Sequence, residues 1–185
     1  MILDILEKSK KENTLIGLNL YGTDEGFNWG SVLEYTDEYG ILLHFSKFGT
    51  ADGIVTLSLA DIKFVETETT YLKGIELLIT RQKEILAQTY HLKSKNDFKD
   101  GFTTLFESFI GNKDYLIKVE LDDEEVYFGF IEWTDEDYFS IINIDLDGIV
   151  IGKATFRFED LKCYTVDDLE CRKRKVLFDA VKKTQ

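Results

Sequence analysis

A mainly β architecture with flanking helices is what this sequence predicts, arranged as two tandem five-stranded small barrels made by internal duplication. Three observations carry that expectation. The chain matches itself at a spacing of 99 residues, each half holds five short apolar runs of period two, and stretches with helical spacing flank each set. In the self-match Gly30 meets Gly129, Val32 meets Ile131, Tyr39 meets Tyr138, Gly49 meets Gly148 and Gly53 meets Gly152. The frame then holds through Thr56 and Thr155 to "DIK" at Asp61 and "DLK" at Asp160.

In chain order, Ile2, Ile5 and Leu6 share one helical face and predict a leading helix. Strands follow over 16–20, 29–35, 41–45, 55–59 and 62–65, each bounded by Gly or acidic turn residues. Tyr71, Leu72, Ile75, Leu78 and Ile79 form an apolar stripe that continues through Ile85 and Leu86, predicting one longer helix. Residues 91–101, "HLKSKNDFKDG", read as a polar joint, which divides the chain into a first repeat at 1–90 and a second at 102–185. The second repeat opens with Phe102, Leu105, Phe106 and Phe109 at helical spacing. Its strands are expected over 117–121, 128–133, 141–144, 154–158 and 161–164. A tail helix carries Leu169, Val176, Leu177, Ala180 and Val181.

Composition limits the function classes. Fourteen Phe and nine Tyr supply large packing units, and with no Pro in the chain no turn depends on one. A net charge of −13 argues against a broad nucleic-acid footprint, which needs clustered Lys and Arg to neutralise phosphates, and against an anionic membrane surface. The opening "MILDILEKSKKEN" lacks the parts of a secretory leader, and no run of about 18 apolar residues exists. Cys163 and Cys171 are too few for a disulfide framework and wrongly spaced for a zinc or redox motif. A reduced, cytoplasmic protein is expected.

Five strands behind a helix make a small barrel, where Gly30 and Gly129 would sit at sharp bends that crowd a side chain. "GSVLEYTDEYGILL" and "GFIEWTDEDYFSII" resemble the first motif of the Sm-like family, with a Gly, an aliphatic two residues on, and an acidic turn leading into an apolar strand. "GIVTLSLADIKFV" and "GKATFRFEDLKCY" resemble that family's last two strands. The resemblance implies tandem Sm-like barrels. RNA-binding members typically place an Asn after the acidic turn and a basic residue with Gly between the last two strands. Here Gly40 or Phe139 stands at the first place, and Ala60–Asp61 or Glu159–Asp160 at the second.

Candidate sites resolve mostly into structural roles. "NIDLDG" at 143–148 imitates the start of a calcium loop, but its twelfth position is Ala154. "GIVIGK" is too short for a phosphate loop. The acids at 122–125 read as a solvated hairpin, and His44 and His91 have no second ligand near them in sequence. No metal set, cofactor or catalytic group is expected. The binding candidates are the turn aromatics Tyr39 and Tyr138, which could equally plug a barrel end, and the basic run Arg172, Lys173, Arg174 and Lys175.

The expected function is therefore a non-catalytic protein-interaction module, in a narrower form an acidic immunity-type inhibitor of a basic toxin or nuclease. The alternative is an Sm-like RNA-binding protein using the basic tail and turn tyrosines. Another protein is the expected partner, with RNA disfavoured and no membrane. A monomer with its two barrels paired, or a small homo-oligomer, is the expected state.

Overall fold

The computed structural model describes residues 1–22, 27–90, 102–121 and 125–184. The polar joint, His91 within it, and the acids at 122–124 lie outside these residues. Contacts group the chain into two compact units, Met1–Gln82 and Lys83–Gln185.

In the first unit, α1 (Ile2–Glu12) ends where Asn13 turns left-handed at φ 52°. Five antiparallel strands follow: β1 (Leu15–Leu20), β2 (Phe27–Tyr35), β3 (Tyr39–Phe45), β4 (Ala51–Ser58) and β5 (Ile62–Thr67). They lie in the order β4-β3-β2-β1-β5. The period-two pattern sends Ile16, Leu18, Val32 and Leu42 to one side, where Leu6 from α1 closes the core. Burying each such side chain contributes about 1.5–3 kcal/mol.

The sheet is followed by α2 (Thr70–Thr80), whose N-cap hydroxyl on Thr69 accepts from Leu72 N at 3.2 Å. The single long helix expected through Leu86 is broken. Its stripe divides between α2 and α3 (Gln82–Leu86), with Arg81 at the break adopting φ −108° and ψ 21°.

The second unit repeats the plan with α4 (Phe102–Glu107), β6 (Ile117–Leu121), β7 (Val126–Thr134), β8 (Tyr138–Ile144), β9 (Val150–Arg157), β10 (Leu161–Val166) and α5 (Leu169–Thr184). Its sheet order, β10-β6-β7-β8-β9, is the same order read from the other edge. Aromatic rings dominate this core, with Phe106 edge-on to Phe139, Phe158 and Tyr164 at centroid distances of 5.0–5.5 Å.

Neither sheet is closed. A short 3-10 turn, Leu59–Asp61 in the first unit and Phe158–Asp160 in the second, carries the chain from one edge strand to the other without a ladder between them. The sequence pattern supplies the strands and their order, but closure needs pairing between β4 and β5, or β9 and β10, and these strands remain edges.

Each turn between the third and fourth strands is pinned to the helix that ends its unit. Gly49 and Gly148 have φ of +73° and +79°, and an added Cβ would meet Ile79 N at 2.6 Å and Phe178 N at 2.3 Å. Only glycine combines that backbone with that approach. Among the described residues, no helix is long and apolar enough to cross a membrane.

Candidate interaction surface

The basic run lies on α5, whose first turn is set by Asp168 Oδ1 accepting from Cys171 N at 2.7 Å. Arg172 points back across its unit. Its guanidinium donates to the Ile85 carbonyl at 2.5 Å and to the Asp167 carbonyl, and lies 3.7 Å from the Asp167 carboxylate. Arg174 pairs with Glu170 at 2.6 Å and lies 3.7 Å above the centroid of the Phe128 ring. Lys175 pairs with Asp179 at 2.5 Å, and Lys173 is only 6% exposed. The structure thus brings the four cations onto one helix and engages Arg172, Arg174 and Lys175 with acids of their own unit.

Tyr39 and Tyr138 occupy the same place in their units, at the start of the third strand. Thr36 Oγ1 accepts from the backbone N–H of Tyr39 at 3.0 Å, and Asp135 Oδ1 accepts from that of Tyr138 at 2.7 Å. Both rings face outward, 51% and 38% exposed. Arg157 lies 6.0 Å over the Tyr138 ring.

The remaining chemistry-bearing groups have structural surroundings. His44 Nδ1 donates to the Trp29 carbonyl at 2.9 Å and packs beside the Trp29 ring. Burial pushes the thiols of Cys171 and Cys163 up, Cys171 far above the ordinary range, and so away from the nucleophilic thiolate. The Glu120 carboxyl lies below the usual range because Lys118 donates to it. Among the described residues, no group of three or more His, Cys, Asp or Glu converges as a metal set.

One surface feature escaped the motif reading. Leu146, Ile149, Val150 and Ile151 all project into solvent, the first and last about 60% exposed. They lie on the turn into β9 and on β9 itself, an edge strand with one unpaired side. Asp145 Oδ1 fixes that turn by accepting from Asp147 N at 3.0 Å and Ile149 N at 2.8 Å, while Gly148 seats it on α5. A rigid turn therefore presents aliphatic side chains beside open backbone hydrogen-bonding groups, a combination that ordinary surfaces avoid.

The fold does not require this. At the same turn the first unit carries Lys47, Thr50, Ala51 and Asp52 in place of Leu146, Ile149, Val150 and Ile151. Both units build the turn, and only one makes it apolar. That difference was present in the 99-residue self-match, but it becomes a surface only once exposure and the strand edge are known.

In comparisons with known proteins, no family model, no curated protein and no solved structure matches this chain.

Proposed function

We propose that the chain is a non-catalytic protein-interaction module of two Sm-like units, and that the aliphatic edge of the second unit is its contact surface. The observation carrying this reading is the exposed Leu146–Ile151 turn on an unpaired strand, matched by Lys, Thr, Ala and Asp in the sister unit. An apolar patch next to free N–H and C=O groups suits a partner that adds a strand to the edge and buries alternate side chains. The helix-then-five-strands order in both units supports the Sm-like relationship.

A net charge of −13 favours a basic partner, the motive for the narrower immunity-type reading. RNA binding through α5 has less support, since Arg172, Arg174 and Lys175 are held by Asp167, Glu170 and Asp179.

The test transplants the first unit's residues, as Leu146→Lys, Ile149→Thr, Val150→Ala and Ile151→Asp together, into the tagged chain. Capture from the native cells, with and without nuclease, should yield a nuclease-resistant partner that the fourfold variant loses by at least about tenfold in affinity, roughly 1.4 kcal/mol. A partner retained unchanged by the variant would remove this surface from the proposal. Nuclease-sensitive nucleic acid would favour the RNA reading instead.

A further inference from the structure

In the second unit the last turn of α3 and the residues that follow it are held by an acid and a base five residues apart. Asp167, left-handed at φ 59° and buried, accepts from Thr89 N at 2.7 Å and Tyr90 N at 2.8 Å. Arg172 donates to the Ile85 carbonyl. The Tyr90 ring then sits against Phe109 and Tyr115, with centroids 5.5 and 5.2 Å away. Two successive N–H groups, one carbonyl and one aromatic ring are thus recognised together, mostly through backbone groups.

The first unit carries an acid and a base at the same two places. Glu68 stands where Asp167 does, left-handed at φ 58°, and Lys73 stands where Arg172 does. The strand registers match, since Ile16 pairs with Gly30 as Ile117 pairs with Gly129. The place between α1, the start of β1 and α2 is a cavity of about 350 Å³, and the matching place in the second unit keeps one of about 400 Å³ with the held segment in its wall. Ile5, Leu15, Ile16 and Leu72 line part of it, and polar and charged residues, among them Lys8, Glu68, Lys73 and Glu76, line the rest. Glu68 is exposed, with Lys8 at 3.7 Å, and Lys73 is exposed as well.

We infer that this groove binds a peptide segment of a partner protein, a helical turn followed by a short non-helical stretch whose last residue is aromatic and follows a small or hydroxyl residue. Glu68 accepts from the two successive backbone N–H groups, Lys73 donates to a carbonyl four or five residues earlier, and the ring enters the cavity against its apolar part, Leu15, Ile16 and Leu72. The site is separate from the β9 edge and does not depend on it.

The probe is a fluorescein-labelled octapeptide, KEILAQTY, which copies residues 83–90. Fluorescence polarisation with the full chain should saturate, and backbone amide shifts should move around Leu15 and Thr67–Lys73. A hydrogen bond to a charged group is worth enough that Glu68→Lys should weaken binding by about tenfold or more. Glu68→Asp, which restores the second unit's acid, should hold affinity within about threefold. An octapeptide with alanine as its last residue should bind at least about tenfold more weakly. Because Glu68 is exposed, these variants leave the core intact. Absence of saturation, affinity unmoved by Glu68→Lys, or shifts confined to 166–172, where the peptide would be exchanging with the chain's own segment, would each overturn the inference.

Discussion

At three turns the first unit uses a hydroxyl where the second uses a carboxylate. Thr36 and Asp135 each accept from two backbone N–H groups ahead of the third strand. Ser46 and Asp145 do the same ahead of the fourth, and Thr69 and Asp168 cap the final helices. The N–H groups exposed by the backbone's path are the constant, and any short side chain with an acceptor oxygen satisfies them. The cores diverge in the same way. Gly40 leaves its space to Leu42, Leu57 and Leu59, whereas the matching Phe139 fills the centre of an aromatic cluster. Two side-chain solutions to one backbone show which positions the fold dictates and which it leaves free for function.

The largest effects should come where the backbone dictates. Gly49→Ala and Gly148→Ala should each destabilise their own unit by about 3 kcal/mol or more, because the added Cβ strikes helix backbone at a left-handed φ. Gly40→Ala, whose Cβ would find nothing closer than 3.5 Å, should lie within about 1 kcal/mol of the parent. Hydrogen exchange followed separately in β1–β5 and β6–β10 reads each unit. Tolerance of Gly49→Ala alongside loss from Gly148→Ala would break the structural equivalence of the two turns.

These constraints explain what was legible in sequence. Paired glycines, period-two runs and acidic turns report local backbone geometry, so the ten strands and their repeated order could be read along the chain. The open sheets could not be read that way, since closure depends on whether edge strands far apart in sequence meet. The site was less legible still. Arg172 reads as one cation in a basic run, and only tertiary structure places Ile85, 87 residues earlier, at its Nε. The Leu146–Ile151 turn attracted attention as failed ion and phosphate motifs, while its actual distinction, exposure on an edge, is a property of the folded chain.

A smaller effect tests the position where Ile75 and Arg174 correspond. Ile75 is buried and apolar, whereas Arg174 is equally enclosed, with Glu170 and the Phe128 ring as partners and its Nε buried without a hydrogen-bond partner. Removing one member of such a pair strands a charge, while an apolar replacement of the cation removes the desolvation cost. Glu170→Ala should therefore cost about 1–3 kcal/mol, less than a fully buried pair because Glu170 remains partly exposed. Arg174→Met should lie within about 1 kcal/mol of the parent. Denaturant titration of both variants and of their double mutant gives the coupling. If Arg174→Met proved the worse of the two, the cation would be contributing more than packing, and its match to Ile75 would be only positional.

The smallest effect is a pH dependence carried by one ion pair of the second unit. On its first strand Lys118 donates to Glu120, while the first unit has Gly17 and Asn19 at these places, with Asn19 Nδ2 donating to Glu66 at 3.4 Å. The ammonium holds the folded Glu120 carboxyl below its ordinary value, so the pair's stabilisation is complete above the unfolded carboxyl's pKa of about 4.3. It is lost as pH falls through the lower folded value. Lys118→Met should accordingly narrow the stability of β6–β10 by a constant small amount at neutral pH, and the gap from the parent should close in acid. The Glu120 carboxyl should titrate closer to the ordinary range in that variant, as followed by side-chain carbonyl shifts. A gap that stayed open in acid would assign the effect of Lys118 to the packing of its aliphatic stem rather than to its charge.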